Sequence, residues 1–311
     1  MNPSRFIRQA AVIGFAVLLI SGCTDRKQLK DEWLQAAAKQ EQMQSYQFAG
    51  EAGFQLDPSL FQGAQPLTAA MLSAFKEGKL TYQGKASLKE PAQAEADFKL
   101  SAKGSDTGLD MPVVLKDNKL YLHLPIISKA DEYVSVPLTA QPERLNQTGR
   151  LSAAVSSKLL QGVDPAWLEA GGKDEKLATG ETATRITLQV TDKNRKQVSE
   201  YLAQAIPAAL EEWTTSGLLS DAQTKAWKEA LGSLQLAAPS TLDIWIDAQG
   251  FIRQQKGELR FSLKEGGPVH TVTWTHRTDA VNEPPAFSKE PPKQAKPLAD
   301  ILKLLPKAPG K

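Results

Sequence analysis

The chain has 311 residues but a single cysteine, Cys23, and only three histidines, His123, His270 and His276. One cysteine excludes an intrachain disulfide framework and a multi-cysteine zinc or iron–sulfur site. Charge of one sign is lacking too. Thirty-seven Lys and Arg face 35 Asp and Glu, and the excess of two is Arg5 and Arg8, which precede the cysteine. Beyond them the chain is balanced, with no global pull toward nucleic acid. No glycine-rich phosphate loop opens a helix and no G-x-S-x-G elbow is present. No carboxylate pair is placed for acid–base work. Asp243 and Asp247 flank Trp245 on the wet face of one predicted strand, about 13 Å apart by strand rise, too far to share a proton. The chain therefore reads as a non-enzyme that calls for no cofactor. With 41% hydrophobic and 23% charged residues, it has a globular composition.

What is present begins with an address. Arg5 and Arg8 precede an apolar run of 11 residues, Ala10–Ile20, and Ser21–Gly22–Cys23 follows. A spanning helix needs about 20 apolar residues, so the run fits a secretory signal. Leu19–Ile20–Ser21–Gly22–Cys23 resembles the bacterial lipoprotein signal. That resemblance implies cleavage after residue 22, a diacylglyceryl group on the Cys23 thiol, and a folded domain tethered outside the cytoplasmic membrane. Two acyl chains suffice for stable anchoring. In a Gram-negative cell, Thr24 after the cysteine resembles an outer-membrane sorting signal.

Residues 23–31 read as lipidated N-terminus and tether. Leu29, Trp33, Ala36, Ala37 and Met43 recur at helical spacing, so Lys27–Ser45 reads as an amphipathic helix. The period then switches to two. Alternating strands are predicted from Tyr46 to Leu56, Leu80 to Leu88 and Ala94 to Lys103. Leu109–Lys116 and Lys119–Leu124 form a hairpin around Asp117–Asn118, and Glu132–Pro137 is a short strand. Thr182–Thr191, Thr241–Asp247, Phe251–Lys264 and Pro268–Thr278 complete about ten strands. Clean alternation with one wet face predicts an antiparallel sheet. Helices are expected over Leu67–Lys76, Leu151–Gln161 with continuation through Asp164–Ala170, Asn194–Trp213 kinked at Pro207, and Ser220–Leu231 capped by Ser220. Residues 32–282 read as one domain. Residues 283–311 carry seven prolines and read as an extended tail holding a short amphipathic helix, with Leu298, Ile301, Leu302 and Leu305 as its stripe.

On the apolar face, Gly50, Ala52, Gly84, Ala86, Ala94 and Ala96 interrupt the large side chains. Small residues leave room. Either helices lie close over the sheet and fill it, or a cleft remains, lined by Phe48, Phe54, Leu80, Tyr82, Phe98 and Leu100, of a kind that suits an acyl chain.

A resemblance joins these parts. The lipoprotein signal, the helix ending in Ser45–Tyr46–Gln47–Phe48, and the meander through Met111–Pro112–Val113–Val114–Leu115–Lys116–Asp117–Asn118–Lys119–Leu120–Tyr121 form its first half. Leu242–Asp243–Ile244–Trp245–Ile246–Asp247 and Gly250–Phe251–Ile252–Arg253 form its second. Together they resemble extracytoplasmic lipoproteins of the lipoprotein-carrier superfamily, with uncharacterised Gram-positive lipoproteins the nearest in pattern. The resemblance covers about residues 27–288 and implies an α+β fold: a curved antiparallel sheet, an open half-barrel, with helices on its concave face. It also implies an acyl lipid or lipidated protein as ligand. The insertion Arg144–Lys176 and the helical stretch Asn194–Leu231 exceed the family's usual complement. Two functions stay open: lipid binding in an apolar cavity, or an envelope-interaction lipoprotein with a filled core, meeting a protein partner through the outer sheet face, Trp245 or the tail.

Overall fold

The computed structural model of the chain describes residues 25–58, 76–105, 107–125, 132–137, 157–215, 219–298 and 300. Cys23, all but the last residue of the expected helix at Leu67–Lys76, most of that at Leu151–Gln161 and most of the C-terminal stripe lie outside the described residues.

Helix α1 spans Arg26–Lys39, with the Asp25 carboxylate accepting from Lys27 N. It thus starts inside the stretch expected as a tether and gives way at Gln40–Gln42 to a 3-10 turn, before the predicted end at Ser45. Six strands follow: β1 Ser45–Gln55, β2 Glu77–Ser87, β3 Gln93–Ala102, β4 Gly108–Lys116, β5 Lys119–Leu122 and β6 Tyr133–Pro137. Asp117 and Asn118 join β4 to β5 with φ of 52° and 56°. That is the conformation a two-residue hairpin needs and Asp/Asn tolerate. Next come β7 Leu168–Ala170, β8 Glu175–Lys176 and β9 Thr182–Val190, then α2 Arg195–Thr215 and α3 Asp221–Leu231. The last strands are β10 Gln235–Asp247, β11 Ile252–Ser262, β12 His270–Asp279 and β13 Ala295–Pro297.

The strands form one 13-stranded sheet in the order β13-β6-β5-β4-β3-β2-β1-β12-β11-β10-β9-β7, with β8 on β9. The sheet is curved and does not close, giving the expected α+β open half-barrel. The count exceeds ten because β7, β8 and β13 are two or three residues long, too short to show a period. Every pairing is antiparallel except β13 on β6, which is parallel. The predicted helical continuation over Asp164–Ala170 is a single 3-10 turn, Pro165–Trp167, leading into β7. Asp164 caps it as expected, but Leu168 is extended because it pairs with Leu188.

The inner face of the sheet carries the helices. Leu29, Trp33 and Ala36 of α1, Val198 of α2, and Trp167 and Leu168 pack with Ile186, Val190, Ile244 and Ile252 in one buried cluster. Ile186 is 0% and Ile244 1% exposed. Pro207 lies inside α2, which runs through it. Ser220 and Gln223 form a reciprocal capping box at the start of α3.

The outer face is not free where the sequence suggested a wet surface. Trp245 is 8% exposed. It packs with Leu177 and Ala183, and its Nε1 donates to Glu175 Oε2 at 2.7 Å. Asp247 is also buried, accepting from Gln249 N and Phe251 N and pairing with Arg253 at 2.9 Å. The strand β8 folds over this patch, and nothing in the alternation of β10 announces it.

Residues 283–297 form a strap on the outer face of the other half. Ala280 and Asn282 take φ of 48° and 65° and turn the chain back after β12. Asn282 exchanges hydrogen bonds with Gln44 N and Ser45 O, both 2.7 Å. The strap crosses β2, β3 and β4 through Lys85 to Ala286 O, Glu95 to Ser288 and Lys289, and Lys116 to Glu290. Strand β13 then covers the edge of β6, which removes an open strand edge from solvent.

Candidate functional site

The six predicted site residues share the inner face of β1, β2 and β3. Register sets Tyr82 opposite Phe98 and Leu80 opposite Leu100. Phe48 stands opposite Gly84, and Phe54 opposite Gly78. Phe48, Tyr82 and Phe98 come together, with ring centroids 6.3 and 5.9 Å apart. Phe54, Leu80 and Leu100 lie toward the opposite end of the same strands, where β1 finishes and β2 begins. All six are half-buried.

The small residues do not leave holes in this face. A Cβ on Gly84 would meet the Phe48 ring at 2.6 Å, and one on Gly50 the Tyr82 hydroxyl at 2.5 Å. On Gly78 it would strike the Phe54 ring at 2.6 Å, and on Gly257 the Trp274 ring at 2.2 Å. Each glycine is the berth of an aromatic ring from the neighbouring strand. The rings lie across the sheet as a thin apolar floor, and the expectation that small residues create depth is corrected accordingly. Ala86 and Ala96 are buried at 6% beside them.

One polar group interrupts the floor. Tyr82 Oη and His276 Nδ1 are 3.0 Å apart, with the rings stacked at 5.9 Å. Burial lowers the His276 pKa and raises that of Tyr82, so both are neutral at pH 7. In the Nε2-protonated tautomer the imidazole accepts from Tyr82 and faces Thr278 Oγ1 at 3.3 Å. His270, on the same strand face, is 2% exposed, and its Nδ1 accepts from Asp57 N at 3.1 Å. It is a core residue. His123 sits apart on the segment after β5, its Nδ1 3.0 Å from Glu132 O. Among the described residues no group of three His, Cys, Asp or Glu is placed to hold a metal.

The outer face carries a groove that sequence reasoning missed. Its volume is about 260 Å³, and Gln47, Gln83, Lys85, Glu95, Asp97 and Lys289 are among its walls. Glu95 is 5% exposed. Its oxygens accept from Ser288 N and Lys289 N, both 2.8 Å, and from Ser288 Oγ at 3.0 Å, with Lys85 Nζ 2.9 Å away. Burial alone would raise the carboxyl, but these donors outweigh it and hold its pKa at about 2. The remaining charges are also paired, Lys289 with Asp97 and Arg277 with Asp279. The groove is thus electrically balanced by its own walls and by the strap, and offers no spare charge to a ligand. Glu95 occupies an ordinary outward position in an alternating strand, and only the distant Ser288–Lys289 gives it a role.

No family model matches the sequence, and no curated protein matches it. Among solved structures, LprF from Mycobacterium bovis is similar at 9% identity and a TM-score of 0.41, over 85% of this chain and 97% of that one. A DUF1329 family protein from Desulfovibrio piger is similar at 10% identity and a TM-score of 0.22, over 80% of this chain and 91% of that one. The fold assignment rests on the strand order and register of the chain itself, not on these two.

Proposed function

We propose that the chain is an extracytoplasmic lipoprotein, anchored through a diacylglyceryl group on Cys23, that holds an acyl lipid or a lipidated ligand against the inner face of β1–β3 without chemistry. The observation that carries this reading is the apolar floor of Phe48, Phe54, Leu80, Tyr82, Phe98 and Leu100, none of it fully buried, where the same face of β9–β11 buries Ile186, Val190, Leu236, Ile244 and Ile252 under the helices. Burial drives such binding, at about 0.8 kcal/mol per methylene removed from water. A flat, ring-paved surface suits an extended chain better than a compact polar solute. In the Nδ1-protonated tautomer His276 donates to Tyr82 Oη, which frees the Tyr82 hydroxyl to donate to an ester or carboxyl oxygen. The alternative, a partner on the outer face, loses support because Trp245 is buried and the described part of the tail is docked on its own sheet.

The test is native mass spectrometry of the domain from Thr24 onward, secreted behind a cleavable signal and purified without detergent. A co-purifying acyl lipid at fixed stoichiometry, lost in Phe98→Asp, is the expected result. An apo mass unchanged on adding lipid would overturn the binding reading.

A further inference from the structure

Only Thr24 and Asp25 separate Cys23 from the first turn of α1. From Cys23 to Arg26 an extended chain reaches no more than about 11 Å. The helix itself is fixed. Leu29 and Trp33 are in the core, and Lys30 Nζ donates to Gln161 O at 2.7 Å. At the other end, Gln40 Nε2 donates to Ile252 O at 3.2 Å. The Gln40 contact sets the C-terminus of α1 beside the β10–β11 turn. Packing on the 3-10 turn and β7 carries its N-terminus toward the opposite end of the sheet. There β9 ends, β11 turns into β12, and β1 finishes.

That end has its own chemistry. Arg26 and Lys27 are exposed on α1 beside Asp25, and Lys264 is exposed beside Glu265 in the β11–β12 connection. Val269, in the same connection, is 49% exposed. The floor is most aliphatic there, with Leu80 and Leu100 paired beside Phe54, while Tyr82 and His276 lie further along the strands.

We infer that the anchored domain stands on the bilayer with its β11–β12 end down, Arg26, Lys27, Lys264 and Val269 against phospholipid, and the aliphatic end of the floor turned to the membrane. The inference rests on the anchoring of Cys23 proposed above. The reverse posture would need the tether to span α1, whose 14 residues are about 21 Å long, roughly twice its reach. An acyl chain then enters from the lipid side at Phe54 and Leu80, and the Tyr82–His276 pair meets it deeper in the floor.

The full lipoprotein, reconstituted in vesicles of phosphatidylcholine and phosphatidylglycerol, tests this directly. Lipidation blocks Cys23, so Lys264→Cys and Gln249→Cys each take one fluorophore, at opposite ends of the sheet. A quencher attached to lipid headgroups should quench the label at position 264 at least threefold more than that at 249. Twenty Gly/Ser residues inserted between Thr24 and Asp25 should abolish the difference. Equal or reversed quenching in protein of lipidated mass would overturn the posture alone. An intact mass lacking diacylglyceryl would overturn the anchoring reading and the posture with it.

Discussion

One face of one sheet is finished in two different ways. Over β9–β11 the inward residues are Ile186, Leu188, Leu242 and Ile244, which stand up from the sheet and meet α1, α2 and the Trp167 turn. Over β1–β3 the inward residues alternate aromatics with glycine and alanine, and the rings lie down on the small positions. Upright branched side chains build a thick layer that demands a covering element. Flat rings build a thin one that satisfies its own neighbours within the sheet and keeps one side of each ring for something else. The difference shows in exposure: Ile186 and Ile244 are 0% and 1% exposed and half-buried Leu188 and Leu242 pack on them, whereas none of the six floor residues is fully buried.

If the halves differ in this way, truncations should cost unequal amounts. Ile244→Ala removes a branched side chain from a filled core and should destabilise by about 3–4 kcal/mol in urea unfolding. Leu80→Ala, on the same face of the floor, should cost about 1 kcal/mol or less and instead weaken acyl-lipid uptake. Equal costs would erase the distinction. Next in size is the strap. Glu95→Ala leaves the Ser288 and Lys289 amides without their acceptor and should cost roughly 3 kcal/mol, with faster amide exchange over residues 284–297. The same carboxyl sets an acid limit. Its folded pKa of about 2 lies below the ordinary 4.5. The stabilisation it provides is therefore complete above pH 4.5 and is lost as pH falls from 4.5 toward 2. Linkage puts that loss at roughly 3 kcal/mol. Wild type should lose stability across that window more steeply than Glu95→Ala does.

Two smaller changes sharpen the floor itself. Gly84→Ala drives a methyl into the Phe48 ring and the Glu95 carbonyl. It should cost about 1–3 kcal/mol and lift Phe48 off the sheet, visible as altered near-ultraviolet dichroism. Tyr82→Phe keeps the ring over Gly50 and removes only the bond to His276. Its stability should change by about 1 kcal/mol at most, while affinity for a fatty acid falls more than affinity for a plain hydrocarbon probe.

Much of the architecture was legible because strands with one wet face announce themselves. The period-two segments starting at Tyr46, Leu80 and Ala94 were read to within three residues of β1, β2 and β3, and Asp117–Asn118 marked its hairpin outright. What stayed hidden had no period to show. β8 is two residues long, yet it decides that Trp245 is buried. β13 is three residues long and contains Pro297, yet it breaks the antiparallel pattern by running parallel to β6 at the sheet edge. Site residues were legible as a face, since alternation puts Phe48, Tyr82 and Phe98 on one side. Their posture was not, because a glycine in the sequence does not say whether its space is empty or taken by a ring from the next strand. Glu95 was invisible as a special residue, its partners lying about 193 positions away.

The pairing of β1 with β12 carries a consequence for how the chain is made. Phe48 finds Thr278 as its neighbour, and the strap that seals the outer face of β3 comes later still. A chain delivered from its N-terminus therefore presents one flank of its first strand, bare, until nearly the whole polypeptide has arrived. Such non-local closure is slow and exposes sticky intermediates. The molecule spends its first moments as an unfinished surface, and a secretion stall anywhere before residue 279 would leave β1 open to the wrong strand.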